Sequence, residues 1–177
     1  MQWNLIIGNI LSMAGGCFTW AASLARTRKW IYLHQVFQCL LLALASVFFI
    51  SWSGVTTFIL CAVRNLLLSV DRFDRKACFL FVAALLIIGL PANNLGLWGL
   101  IPVLASVAYT LGGFLAKKEI PMKLNMALEL ILWLIYELHI KDFSSTVVDG
   151  VTIVLAAVSM VRAVGGVRFN ESGGQVP

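Results

Sequence analysis

Apolar residues fill this chain in seven blocks, at positions 3–25, 30–50, 53–70, 77–91, 95–115, 121–139 and 143–163. Short runs, several of them rich in Arg, Lys and Asp, separate them. A helix needs roughly 20 mostly apolar residues to cross a bilayer core. Backbone polar groups in lipid must be satisfied within the protein, which leaves helices or closed barrels. The block lengths fit helices, so the pattern predicts an all-α integral membrane protein with seven transmembrane helices. The fourth block is the shortest and ends at Pro91, which lacks the amide proton a helix interior uses. No basic segment precedes the first block, so it is expected to remain as a signal anchor.

The last three blocks resemble the first three. At an offset of 91 residues, Gly8 meets Gly99, Ile10 meets Ile101, Ala14 meets Ala105 and Thr19 meets Thr110. Leu41 then meets Leu132, Ser53 meets Ser144 and Val63 meets Val154, without a gap. Three helices are an odd number, so two copies in the same orientation need one further helix between them. The expected layout is two parallel three-helix bundles joined by a linker helix (3+1+3), related by an axis along the membrane normal. Residues 1–73 form the first bundle, 74–94 the linker and 95–164 the second bundle, and 165–177 form a Gly-rich polar tail expected to be disordered.

Charge fixes the expected orientation. Seven spans place Arg26, Arg28, Lys29, Arg72, Arg75, Lys76, Lys117, Lys118, Lys123, Arg162 and Arg168 on one side, and Lys141 on the other. The positive-inside rule puts that basic side in the cytoplasm, with the N-terminus outside and the C-terminus cytoplasmic. The net charge of +5 is then a matter of topology, and nucleic acid is not an expected partner. Composition agrees: 60% of residues are hydrophobic and 12% charged, more apolar surface than a soluble domain of this size can hide.

Small residues recur every four positions at Gly8, Ser12 and Gly16, and again at Ala108, Gly112 and Ala116, which predicts close helix contacts. Trp3, Trp30, Trp52, Trp98 and Phe143 stand near block ends, where an aromatic belt would lie.

Polar residues deep in a membrane span are costly and are functional candidates by default. Arg64 and Asn65 lie in the third block, Glu129 in the sixth, Asp149 in the seventh, and His34, Gln35 and Gln38 in the second. The offset of 91 pairs Gln38 with Glu129 and His34 with Asn125. Facing bundles would bring His34, Gln38, Arg64, Asn65, Asn125, Glu129 and Asp149 to one substrate-binding cavity, with Trp133 and Trp20 as walls. The structural alternative is that Arg64 pairs with Glu129 or Asp149 and pins helices. Tyr136 and Glu137 fall near the outer boundary, where a solvated rim is expected.

Catalytic motifs such as HExxH, GxSxG and the P-loop do not occur. His34 and His139 fall in opposite halves of the bilayer, and Cys17, Cys39, Cys61 and Cys78 lack metal-ligand spacing and read as packing residues. No enzyme activity, cofactor or metal site is therefore expected.

The segments Cys61-Ala-Val-Arg64-Asn65-Leu-Leu-Leu, Gly99-Leu-Ile-Pro102-Val-Leu-Ala-Ser106, Val148-Asp149-Gly150 and Val161-Arg162 resemble the YgjV family of bacterial inner membrane proteins. The resemblance covers most of the chain and implies a multi-pass protein of the bacterial inner membrane. Its architecture is similar to that of SWEET, PQ-loop and PnuC carriers, although paired PQ dipeptides are missing. In PQ-loop and SWEET carriers a proline in the first helix of each bundle is a hinge; here the fifth block has Pro102 and the first has Leu11. The expected partners are a small-molecule solute and the lipid bilayer, with a homo-oligomer left open. The expected function is small-solute transport by alternating access. A non-transporting membrane receptor or accessory subunit is the alternative.

Overall fold

A computed structural model describes residues 2–25, 27–115 and 119–172. Among these residues the chain is entirely helical, without strands. The elements are α1 (Gln2–Leu24), α2 (Arg28–Phe48), α3 (Trp52–Ser69), α4 (Arg75–Ala84) with a π-helical turn (Leu85–Gly89), α5 (Leu100–Leu115), α6 (Glu119–Ile140) and α7 (Phe143–Ser172). Each falls on one apolar block of the sequence.

Two boundaries depart from expectation. Helix α5 begins at Leu100 rather than near position 95, because Asn93 builds a turn first. Its Oδ1 accepts from the Leu95 amide at 2.9 Å, its Nδ2 donates to the Gly96 carbonyl at 2.6 Å, and Gly96 adopts φ 60°. Helix α7 continues to Ser172, beyond Gly165 where the disordered tail was expected to start. No proline interrupts that stretch, and a glycine inside a helix costs only about 1 kcal/mol. Residues 173–177 of the expected tail lie outside the described residues.

Among the described residues, three helices are long and apolar enough to cross a membrane, over Gln2–Ala22, Lys29–Phe48 and Trp52–Ser69. Shorter apolar stretches occupy α5 (Leu100–Gly112) and α7 (Phe143–Leu155). Helix α6 is long enough but carries Glu119, Lys123, Glu129 and Glu137.

Helix α3 shows how polarity is distributed. Its buried face reads Ser53, Gly54, Thr57, Cys61, Arg64, Asn65 and Ser69, while Ile59, Val63, Leu66 and Val70 point outward and are exposed. Polar groups face inward and large apolar side chains face out, the reverse of a soluble helix. The other helices likewise expose large apolar residues, including Ile10 and Trp20 on α1, Phe37 and Leu44 on α2, and Val154 and Leu155 on α7. So extensive an apolar exterior is a lipid-facing surface.

The helices close into a ring. Contacts join α1 to α2, α2 to α3, α3 to α5, α5 to α6 and α6 to α7, and α7 returns to α1. Helix α4 and its π-turn stand outside the ring, against α3 and α5.

Two turns of the ring share one backbone design, which also recurs after α3, where Asp71 has φ 54° and the Arg72 amide reaches back to the Leu67 carbonyl at 2.9 Å. Helix α2 ends on Ile50 at φ 55°, and α6 ends on Lys141 at φ 64°. These positions are 91 residues apart. The next amide reaches back to the last helical turn in both, Ser51 N to Ser46 O and Asp142 N to Glu137 O, each at 2.9 Å. This is a left-handed helix cap of the Schellman type, built here on non-glycine residues. Ser51 and Asp142 then cap the following helices, accepting from the amides of Gly54 at 3.2 Å and Ser145 at 3.0 Å.

An asparagine from a neighbouring segment clasps each of the two turns. Asn9 of α1 donates to the Lys141 carbonyl at 3.1 Å and accepts from the Ser144 amide at 3.0 Å. Asn94 donates to the Ile50 carbonyl at 2.6 Å and accepts from the Trp52 amide at 3.0 Å. Backbone groups left over at the helix ends thus find side-chain partners rather than lipid.

The predicted small-residue faces are contact faces. A Cβ at Gly16 would lie 2.6 Å from Val148 Cγ2 on α7, and one at Gly8 would lie 2.7 Å from the Phe49 ring. Gly112 lets Asn125 of α6 approach α5; Ala116 lies outside the described residues. At Gly54 a Cβ would stand 2.6 Å from Tyr136 Oη, 2.9 Å from Ser46 Oγ and 3.0 Å from Ser51 Oγ. At Gly150 the nearest atom, Leu134 Cδ1, is 3.9 Å away.

Opposite effects are expected at these two glycines. Gly54→Ala forces three buried polar groups apart and should destabilise by about 1–3 kcal/mol, as overpacking does. Gly150→Ala meets only an ordinary van der Waals contact with Leu134 and should stabilise by up to about 1 kcal/mol through helix propensity. Thermal unfolding of the two variants in one detergent tests the pair, and equal shifts would contradict this packing.

Candidate functional site

A cavity of about 160 Å³ lies inside the helix ring. All six ring helices line it and α4 does not. Helix α1 contributes Ser12, Gly16 and Thr19, and α2 contributes Gln35, Gln38, Cys39 and Leu42. Helix α3 brings Phe58, Cys61, Arg64 and Asn65, and α5 brings Tyr109. Helix α6 supplies Glu129, Leu130, Trp133 and Glu137, and α7 supplies Ser145, Val148, Asp149 and Thr152.

The lining carries the offset of 91 residues. Gln38 and Glu129 both face the cavity, as do Leu42 and Trp133, Phe58 and Asp149, and Cys61 and Thr152. Equivalent places on the two halves therefore surround one space. Their side chains differ, however: Gln38 and Phe58 are neutral where the second half has Glu129 and Asp149, and Leu42 is aliphatic where it has Trp133.

Arg64 is 7% exposed. Its Nη1 donates to Thr110 Oγ1 at 3.0 Å and its Nε to Asn65 Oδ1 at 3.3 Å. Its guanidinium carbon lies 5.1 Å from the centre of the Tyr109 ring and 5.4 Å from that of Phe81 on α4. Aromatic faces attract a cation, more strongly where water is excluded. Two of its direct partners are neutral hydroxyl and amide groups and two are aromatic rings, which differs from the simple ion pair with Glu129 or Asp149 considered from the sequence. Asn65 in turn donates to Cys39 Sγ at 3.6 Å, and Thr110 to the Ser106 carbonyl at 2.7 Å. This chain of contacts joins α2, α3, α4 and α5.

Trp133 is 6% exposed and stacks on Phe58 with ring centres 4.5 Å apart. It meets Tyr136 edge-on at 5.7 Å. Tyr136 is fully buried and its hydroxyl bonds Ser51, the cap of α3. Residues 129, 133, 136 and 137 share one face of α6, because helix neighbours recur at three and four positions.

The far end of the cavity is acidic. Glu137, expected on a solvated rim, is only 4% exposed and faces the cavity. Asp142 lies beside it in the turn between α6 and α7. Asp142 Oδ2 accepts from Ser12 Oγ at 2.6 Å and Ser145 Oγ at 2.8 Å, and Oδ1 accepts from the Ser145 amide. Burial pushes the Asp142 carboxyl above its ordinary range, and the donors on Ser12 and Ser145 oppose that shift. The same carboxylate ties α1 to the start of α7, closing the ring.

Of the predicted site residues, Gln38, Arg64, Asn65, Glu129, Trp133 and Asp149 meet at the cavity. His34 and Asn125 do not line it. The His34 ring donates from Nδ1 to the Trp30 carbonyl of its own helix at 2.6 Å and packs near Phe18 and Trp30. Asn125 donates to the Tyr109 carbonyl at 2.9 Å and holds α6 to α5. Trp20, a predicted wall, is half exposed on the outer surface. Glu137 and Tyr109 were missed. The first could have been found from its place one turn beyond Trp133 on the Glu129 face; Tyr109 carried no signal beyond its type.

An apolar exterior around an internal cavity that carries charged side chains defines a helical membrane protein. The chain belongs to the Imp-YgjV family of bacterial inner membrane proteins, whose family description matches residues 6–165. Comparison with curated proteins and with solved structures yields no match.

Replacing Asp142 tests the ring closure. Asp142→Ala removes the cap of α7 and leaves the buried Ser12 hydroxyl without its acceptor. A loss of about 2–4 kcal/mol is expected from the cap and the unsatisfied group together. Asp142→Asn keeps the capping oxygen and should cost less. Chemical denaturation in mixed micelles ranks the two, and an equal loss would remove the cap from the account.

Proposed function

We propose that this protein is a small-solute carrier of the bacterial inner membrane that works by alternating access. In this reading all seven helices cross the bilayer. Helices α1–α3 and α5–α7 form two parallel three-helix bundles, α4 is the linker, and the architecture is SWEET-like. The N-terminus lies outside and the C-terminus in the cytoplasm, as the basic residues direct. Repeated turns at Ile50 and Lys141, the closed ring of contacts and the paired lining positions support this arrangement.

The cavity carries the functional reading. A bundle built only for stability would fill its centre with apolar side chains. Here Arg64, Glu129, Glu137 and Asp149 converge in the interior, where each is expensive unless paired or wetted. Such groups in a membrane interior mark a substrate or ion pathway.

Size limits the substrate. A cavity of ~150 Å³ accommodates benzene, so about 160 Å³ holds a small polar metabolite of comparable bulk. Glu129 and Arg64 orient its polar groups, while Trp133 and Phe58 contact its carbon skeleton. The two bundles rock about the seams between α1 and α7 and between α3 and α5, exposing the site to either side. The role is passage rather than catalysis. One chain contains both bundles, so a pathway closes without a second copy.

Purified protein in sealed liposomes provides the test, with a solute panel of vitamin precursors, sugars, amino acids and small carboxylates. At least one member should show saturable counterflow. Glu129→Gln and Arg64→Ala should each reduce it at least tenfold, which corresponds to about 1.4 kcal/mol of binding. A solute that stabilises the protein in detergent yet never crosses the liposome membrane would instead indicate a non-transporting receptor.

A further inference from the structure

We propose that the end of the cavity bounded by Glu137 and Asp149 binds the ammonium group of a small primary amine. The inference starts from an atom without a partner. Glu137 is 4% exposed, lines the cavity, and its Oε2 makes no hydrogen bond among the described residues. An uncompensated buried carboxylate is among the more expensive features a protein can hold. Asp149 of α7 faces the same space with a second carboxyl.

Nearby protein groups do not meet this need. The neighbouring Asp142 already takes the hydroxyl hydrogens of Ser12 and Ser145 and the Ser145 amide. Arg64 is the one cation lining the cavity among the described residues, and it donates to Thr110 and Asn65. It also lies toward Glu129, and Glu129 and Glu137 are eight residues apart on α6, or ~12 Å along the axis. The cavity wall therefore holds three carboxyl groups, on Glu129, Glu137 and Asp149, against one guanidinium. The shortage of positive charge and of N–H donors falls at the same end.

An ammonium head answers both shortages. It brings one positive charge and three N–H donors. Glu137 and Asp149 can accept two of them, and a serine oxygen at Ser12 or Ser145 has lone pairs left for the third. Trp133, one helical turn before Glu137, and Phe58 stacked on it offer an apolar wall to the attached carbon chain. The volume of about 160 Å³ restricts that chain to a few carbons.

This assignment deepens the proposed function by naming a substrate class, and it rests on the cavity being a ligand site, not on passage. A bound amine without flux would leave it standing and overturn the carrier reading. The experiment is a thermal-shift titration of the full chain in detergent at pH 8 and constant ionic strength. The probes are ethylammonium, tetramethylammonium, sodium, potassium and N-methylglucamine chlorides.

Ethylammonium should raise the melting temperature saturably. Tetramethylammonium, which fits but has no N–H, and bulky N-methylglucamine should not. Glu137→Gln and Asp149→Asn should each weaken the apparent affinity at least tenfold. If either variant fails to fold, the contrast between ethylammonium and tetramethylammonium on the native chain still decides. A shift produced equally by sodium or potassium, a shift retained in both folded variants, or no shift with ethylammonium would overturn the proposal.

Discussion

The fold is governed by one constraint: in lipid, every polar group must find its partner inside the protein. The helices satisfy their own backbones, and what remains is handled locally. At the ends of α2 and α6 the carbonyls of Ile50 and Lys141 are taken by Asn94 and Asn9, and the next amides fold back onto the preceding turn. In the interior, Arg64 is surrounded by Thr110, Asn65 and two aromatic faces. The same rule that shapes these turns makes an exception such as Glu137 Oε2 informative.

Symmetry of backbone and asymmetry of charge have different origins. The capped turns at Ile50 and Lys141 depend on main-chain geometry, which survives wide changes of side chain. The lining depends on side-chain chemistry alone. At paired positions, Gln38 corresponds to Glu129, Phe58 to Asp149 and Ser46 to Glu137. The first half thus supplies the guanidinium of Arg64 and neutral groups, and the second half supplies the carboxyls.

Much of the architecture was legible because lipid imposes a simple code. Seven apolar blocks became seven helices among the described residues, and several positions paired by the offset of 91 residues line the same cavity. Gln38, Arg64, Asn65, Glu129, Trp133 and Asp149 could be found because a polar side chain amid apolar neighbours is conspicuous. The failures have physical causes. His34 satisfied itself on the Trp30 carbonyl one turn back, a local bond that block patterns do not reveal. Glu137 was assigned to the rim from its nearness to the end of α6, yet Asp142 and Ser12 seal the ring beyond it and leave it buried. Tail residues 165–172 read as irregular from composition, but helix propagates past two glycines when no proline stops it.

Charge separation across the cavity also bears on how occupancy and conformation are coupled. A ligand bridging the Arg64 side and the Glu137–Asp149 side touches both halves of the ring. Its contacts would be lost if the halves separated on that face, so it favours the arrangement in which they meet. A ligand shifts an equilibrium only by its differential affinity for the two states. An amine held by Glu137 and Asp149 alone would sit on α6 and α7 of one half, where rocking changes its contacts little. In the proposed carrier the neutral residues Gln38 and Phe58, at positions equivalent to the acidic ones, would matter as much as the carboxyls. They would leave the first half free to engage the ligand's other end, so that one small molecule would touch both halves of the ring.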